Sequence, residues 1–284
     1  MFIKSKIFLL KPVLFFLILS LKVNLIFAQK SDLLVITDSL NNCFSNIINE
    51  QQDENKLQLN NSVIEIIKSY LGKVESFNNP LSSVKNIGLI QSSDKKLNIY
   101  TWNIPLNDGT HKYFGFIHYS SKKKKQNLVF ELVDKSNEIK NPERALLNCS
   151  NWYGALYYKI VETKYKGITY YALLASDLNN LSTKKKIVDV LFFDKIDQPV
   201  FGATIFNQPN QFYTRLIFEF NVRANMTLNY DQKLEMIVFD HLSPSKPNLV
   251  GIYEFYGPDF SYDGLKFKKG KWNLFNDIEV KGDK

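Results

Sequence analysis

Residues 215–222 read RLIFEFNV. Leu216, Phe218, Phe220 and Val222 fall on one face, and Arg215, Glu219 and Asn221 on the other beside Ile217. Side chains of a strand point alternately to opposite sides, so this alternation predicts a β-strand with one buried face. The same texture extends both ways from it. After about residue 88, short runs rich in Ile, Val, Tyr and Phe are separated by Asn, Asp, Gly, Pro and Lys. That is the pattern of an antiparallel β protein. Further strands are predicted at Leu97–Ile104, Lys112–Ser120, Leu128–Val133, Gly154–Thr163, Ile168–Ala175, Ile187–Phe193, Val200–Phe206, Leu234–Phe239, Gly251–Phe255 and Leu265–Phe267. Polar turns feeding strands recur after Asp94 and Asp231 at unequal intervals, which indicates repeated hairpins rather than a regular propeller.

Upstream of this region the period changes. Leu33, Ile36, Leu40, Phe44, Ile47 and Ile48 recur at steps of three and four, as on one face of a helix. After the polar stretch 49–56, Ser62 followed three residues later by Glu65 has the form of a capping box. Val63, Ile66, Ile67, Tyr70 and Leu71 then form an apolar stripe that stops at Gly72. The expected fold is mostly β (α+β): two short N-terminal helices packed on a large antiparallel sheet, sandwich- or barrel-like.

The chain opens with Lys4 and Lys6, an apolar run, and Ala28 before Gln29. A charged start, an apolar core and a small residue before a polar one form a secretory signal peptide. The expected organisation is a signal over 1–28, a helical segment over 29–80 and an antiparallel β domain over 81–284. Loss of Lys4, Lys6, Lys11 and Lys22 takes the formal net charge from +8 to +4. So mild a charge argues against a nucleic-acid surface. After cleavage no stretch is apolar for the roughly 20 residues a membrane span needs, so the mature chain is not expected to be integral to a membrane. The expected location is periplasmic, secreted or peripheral to the outer membrane. In an exported chain the two cysteines, Cys43 and Cys149, permit a disulfide; two buried free thiols are the alternative.

Five segments carry a resemblance: SSDKKLNIYTWN (92–103), DGTHKYFGFI (108–117), WYGALYYKI (152–160), IVFDHLSP (237–244) and FYGPDFSYDG (255–264). They resemble an uncharacterised family of exported proteins from Bacteroidetes-type bacteria. The resemblance covers most of the chain beyond residue 90 and implies a cell-envelope location. It brings no assigned activity and no functional residues.

The last of these segments has the sharpest chemical content. Asp259, Ser261 and Asp263 match positions 1, 3 and 5 of a calcium loop, Gly264 the bend and Leu265 the carbonyl ligand. Position 12 is Gly270 where a bidentate glutamate is needed, and Lys266, Lys268 and Lys269 lie close by. Tyr-Asp-Gly between apolar runs also reads as a hairpin turn, which is the preferred reading. Calcium is the one cofactor the sequence raises.

Other chemistry is thinly represented. If 111–118 form one strand, His111 and His118 point to opposite faces and cannot share a metal. Asp240 and His241, as neighbours, also diverge. No metalloprotease or nucleophile-elbow spacing occurs. Asp189, between Val188 and Val190, is expected to face solvent, with Val188, Val190 and Phe192 on the buried side; the alternative is a buried acid with a raised pKa. Aromatic residues are abundant, and Trp102, Trp152, Tyr157 and Tyr262 are candidates for an exposed ring platform, while most rings are expected to fill the core. Lys122–Lys125 form a tetralysine run between two strands, which is read as a solvated hairpin tip.

The leading functional expectation is a non-catalytic envelope or secreted module that binds protein or glycan. The rival is a hydrolase acting on an envelope polymer through paired carboxylates. A structural component of an envelope assembly is the third. A cleft holding two carboxylates would favour the hydrolase; a flat exposed aromatic patch would favour binding.

Overall fold

A computed structural model of the chain describes residues 32–207 and 212–280. The expected signal segment lies outside the described residues. The protein is mostly β, with two helices and three sheets, and no sheet closes into a barrel among the described residues. Helix α1 spans 32–49 and α2 spans Asp53–Leu71. The first sheet is the meander β1 (Gly88–Gln91), β2 (Leu97–Pro105), β3 (His111–Ser121) and β4 (Gln126–Val133). The middle sheet runs in the order β10 (Leu216–Asn221), β7 (Thr183–Phe193), β6 (Ile168–Asp177), β5 (Leu156–Tyr165), with β8 (Pro199–Phe201) also on β7. The third sheet runs β11 (Leu228–Asp231), β12 (Met236–Pro244), β13 (Tyr256–Lys268), β14 (Lys271–Phe275), β9 (Phe206–Asn207), and only the β14–β9 pair is parallel.

These elements stack in four layers around three cores. The helices bury Leu40, Phe44, Val63 and Ile67 against Tyr100, Trp102 and Phe116 of the first sheet. The opposite face of that sheet packs Ile99 and Ile117 on Leu173, Ile187 and Leu191 of the middle sheet. The other face of the middle sheet packs Leu174, Val188, Val190 and Phe220 on Ile237, Phe239 and Leu265 of the third. Each core holds one tryptophan: Trp102, Trp152 and Trp272 in turn. Trp102 stacks on Phe114 and donates its indole N–H to buried Asn60 of α2 at 2.8 Å, so it fixes the helices on the sheet. Among the described residues, no helix is long and apolar enough to cross a membrane.

Several expectations change. Ser62 lies inside α2 and caps nothing; the helix begins at Asp53 after Gln52. Asp53 and Glu54 in its first turn complement the positive end of the helix dipole, and Glu50 accepts the N–H groups of Gln51 and Gln52. Tyr253–Phe255 is a short 3-10 turn where a strand was expected, and β1, β11 and β14 were not anticipated because they are short. Cys43 packs with the helix core and Cys149 with the core beyond the first sheet. Both are free thiols, separated by a layer of the fold. Burial raises the Cys149 pKa to about 12.

The largest correction concerns the middle sheet, which is covered on both sides. Its strand β7 has no solvent face in its centre: Ile187, Asp189 and Leu191 point toward the first sheet, Val188 and Val190 toward the third, and all are buried. Asp189 is 1% exposed and Arg215, just ahead of β10, is 0%. The Arg215 Nε donates to Asp189 Oδ1 at 3.0 Å, and its Nη1 donates to the carbonyls of Pro142 and Ala145. The Tyr157 hydroxyl donates to the other oxygen of Asp189 at 3.3 Å and receives the indole N–H of Trp152 at 2.8 Å. Burial, and then the Asp189 charge, hold the Tyr157 phenol well above its ordinary pKa, so it remains a donor. Arg215 was expected on a polar outer face, but that face is the inner core.

Removing one member of a buried pair leaves the other charged and unsolvated. Arg215→Ala and Asp189→Ala are each expected to cost about 3–5 kcal/mol, while Asp189→Leu with Arg215→Met recovers a large part of the loss; urea unfolding of the three variants measures this.

Candidate functional site

The middle and first sheets share a seam, and β3 and β7 run along it in the same sense, both beginning at one end. That end opens into a cleft of ≈ 340 Å³. Its walls come from the start of β3 (His111–Tyr113), the start of β7 (Lys185), the end of β6 (Asp177) and the long connection that leaves β4 (Asp134–Glu138). Gly154 lets that connection close on the wall. A Cβ there would lie 2.6 Å from the Asp134 carboxyl carbon and 2.7 Å from the Tyr113 Cβ, a contact that real Cβ atoms do not make.

The cleft holds two nearly buried carboxylates, Asp134 at 6% and Asp177 at 5% exposure, and a third acid, Glu138, that is exposed and paired with Lys135 at 2.7 Å. Asp177 Oδ1 accepts the Tyr113 hydroxyl and the Asn179 N–H, both at 2.7 Å, and Oδ2 faces the Lys185 ammonium at 3.5 Å. Asp134 Oδ2 accepts the Tyr113 N–H, and Oδ1 accepts the Ser136 N–H and hydroxyl. All four aspartate oxygens are therefore engaged with their own walls. Burial and the Asp177 charge push the Tyr113 phenol far above its ordinary pKa. Burial opposes the charge of Lys185, but Tyr153, Asp177 and Glu219 together hold its pKa above the usual lysine value. Burial also lowers His111 below 6.5, with Asp177 opposing weakly, so this imidazole is neutral at neutral pH. Its Nδ1 is tied to Asn103 at 2.8 Å. The result is a rigid set of hydrogen-bonding groups in which three lysines balance three acids.

The cleft continues past Asn180 into a shallower depression. Leu181 and Tyr253, 75% and 47% exposed, stand on its rim. Here an apolar side chain and an aromatic face adjoin a polar cleft, and the sequence did not single out either residue.

The sequence-derived candidates lie elsewhere. Trp102, Trp152 and Tyr157 are buried, each in a core between layers, so they build no exposed platform; of the four rings only Tyr262 is exposed, at 37%. The FYGPDFSYDG stretch is neither a calcium loop nor a hairpin turn. It enters the long strand β13, where Gly264 pairs with Val238 and Phe275, and Leu265 is buried between Ile237 and Leu274. Asp259 accepts the Ser243 hydroxyl on one oxygen and the Ser261 N–H and hydroxyl on the other. Asp263 accepts from His241 and from the Asp277 N–H. Among the described residues, no group of three or more His, Cys, Asp or Glu stands close enough to hold a metal ion. Tyr262, Asp263 and Gly264 pair regularly with β12, and a bulge lies just ahead of them, where three residues, Asp259–Ser261, face the single His241. Phe260 takes a φ of 72° there and is almost fully exposed.

The three histidines are separate. His111 faces the cleft, while His118 lies on the other face of β3 under Phe77, as their odd spacing requires. Burial without a hydrogen-bond partner lowers the His118 pKa to about 4. His241 is raised above 6.5 by its 2.8 Å hydrogen bond to Asp263, against partial burial, with added attraction from Asp259 and Asp277.

No family model matches this chain, and neither a curated protein nor a solved structure does.

The two shifted histidines give stability slopes of opposite sign. A depressed pKa contributes stability above the unfolded value that is lost as pH falls, so His118 is expected to cost about 2–3 kcal/mol between pH 6.5 and 4.5. A raised pKa contributes stability below about 6.5 that disappears as pH rises through the folded value, which is the case for His241. Urea unfolding at pH 4.5, 6 and 8.5 checks both. His118→Phe is expected to flatten the acid limb. His241→Gln is expected to be less stable than the parent at pH 6 and equal to it at pH 8.5.

Proposed function

We propose that the chain is an exported envelope or secreted binding module whose cleft takes an uncharged saccharide. The Lys4–Ala28 segment has the order of a signal peptide, and the resemblance to exported Bacteroidetes-type proteins supports the same location. One observation carries the ligand class: both buried cleft carboxylates are occupied by fixed internal donors, while the groups around the opening are neutral or balanced in charge, Glu138 by Lys135. A preformed polar cleft with a few fixed donors and acceptors suits sugar hydroxyls, and the adjoining Tyr253 ring offers a face for a sugar's C–H side.

The rival hydrolase needs one carboxyl to give a proton and a second to act on the opposite side of the scissile bond. The cleft does hold two buried carboxylates, as that reading requires. The oxygens of Asp134 and Asp177, however, already accept from Tyr113, Ser136 and Asn179, and the third acid, the exposed Glu138, is paired with Lys135.

Calorimetric titration with a panel of neutral oligosaccharides tests this reading. At least one is expected to bind, and His111→Ala combined with Asn137→Ala is expected to weaken it by at least about tenfold, or 1.4 kcal/mol, with no change in melting temperature. Asp177→Asn is expected to lower the melting temperature, because the half-buried Lys185 ammonium loses the charged oxygen that faces it. Release of reducing ends from a polysaccharide by the parent protein, abolished in an Asp177→Asn variant that is still folded at the assay temperature, would replace binding with hydrolysis.

A further inference from the structure

The far end of the same seam carries a second opening of different chemistry. It is a groove of ≈ 540 Å³ where β3 and β7 end and β6 begins. Its floor is aromatic. Tyr119 and Phe193 lie face to face across the two sheets, with centroids 3.7 Å apart and planes 14° from parallel, and both are only partly buried. Tyr171 closes the edge of the stack and donates to Asp94.

Its rim is basic. Lys96, Lys122, Lys123 and Lys195 line the groove against two acids, Asp194 and Asp197. Both acids have partners within the loops. Asp194 accepts the N–H groups of Ile196 and Gln198. Asp197, 5% exposed, accepts the Ser121 hydroxyl at 2.6 Å. The Ser121 hydroxyl in turn accepts the Lys124 N–H, and the Lys123 ammonium donates to the Lys195 carbonyl. The tetralysine turn is therefore clamped to the β7–β8 turn through a buried carboxylate. The four lysines form the exposed hairpin tip that the run indicated, and this clamp holds the backbone of that tip beside the rings. Among the described residues, Lys122 and Lys195 form no salt bridge.

We propose that this groove binds an anionic saccharide, with a sugar ring on the Tyr119–Phe193 stack and its sulfate, phosphate or carboxylate group held by Lys122 and Lys195. The partly exposed rings supply an apolar surface against which a sugar's C–H groups can pack. Ammonium groups without salt-bridge partners supply the charge, and the clamp between their two turns sets in advance the backbone positions from which they reach, which reduces the ordering cost of binding. The site is independent of the cleft at the other end, where acids and lysines balance.

The test uses the full-length chain as expressed and purified, and four probes: a sulfated hexasaccharide, its desulfated counterpart, inorganic sulfate, and vesicles of phosphatidylcholine with phosphatidylglycerol. The sulfated hexasaccharide is expected to bind at least tenfold tighter than the neutral one and than inorganic sulfate. Lys122→Ala with Lys195→Ala is expected to weaken it at least tenfold at unchanged melting temperature. Lys268→Ala with Lys269→Ala, an equal change of charge on the third sheet, and the His111→Ala, Asn137→Ala cleft variant are expected to bind it as the parent does. Equal loss in the Lys268, Lys269 variant would reduce the effect to net charge and overturn the proposal. So would unchanged affinity in the Lys122, Lys195 variant, or vesicle binding in place of hexasaccharide binding, which would make the groove a membrane contact.

Discussion

A carboxylate and a guanidinium buried between two sheets hold this molecule together at its centre. The Asp189–Arg215 pair ties β7 to the start of β10. Through Arg215 it reaches the carbonyls of Pro142 and Ala145, and through Tyr157 the indole of Trp152. Those residues belong to the long connection between β4 and β5, which has little regular structure of its own. Its further ties include backbone pairs, among them Leu147 with Phe201 and the Thr214 N–H to Glu143, and side-chain bonds such as the Tyr113 N–H to Asp134. That connection also supplies Asp134, Ser136 and Tyr153 to the cleft. A polar network in the core therefore positions a polar site at the surface. A hydrophobic replacement of the pair would preserve packing without naming which carbonyls the connection must meet.

The layer order follows from the same centre. Three antiparallel meanders each need to cover their apolar faces, and stacking gives the middle one cover on both sides. The outer two then need one further partner each. The first sheet takes the helices, fixed by Trp102 and Asn60. The third buries Met236 and Val238 on its far side, where Ile278 of the C-terminal segment approaches Gly264. The seam between the first and middle sheets ends in two openings. At one, carboxylates buried under Tyr113 balance the lysines; at the other, acids are turned into the loops and lysines remain outward. One packing interface thus yields two sites with different electrostatics.

Much of the architecture could be read from period alone. The alternation at 215–222 located β10 and its face toward the third sheet, since Leu216 and Phe220 do lie in that core. The helical stripes at Leu40, Phe44, Val63 and Ile67 are the residues that meet the first sheet. The parity of His111 and His118 placed them on opposite faces correctly. The errors share a cause. Arg215 and Asp189 were assigned outward because a strand was assumed to have one wet face. The run Ile187–Phe193, apolar at six of its seven positions, was the available sign that β7 is buried on both sides.

The residues of the cleft had no such sign. Asp134, Asp177 and Lys185 are far apart in the chain and ordinary in their local setting. The tetralysine run was visible, but not the buried Asp197 that clamps it. Similarly, Tyr-Asp-Gly is a turn signal by local propensity, yet pairing with β12 and β14 outweighs it and draws the stretch into a strand. Sequence periodicity determined the fold class, the helices and most strands of this protein, because side-chain parity and helical phase are local and survive in any context. Only the tertiary structure decided which faces are buried twice, which charges are paired and where two openings form, because those depend on which sheet stacks on which.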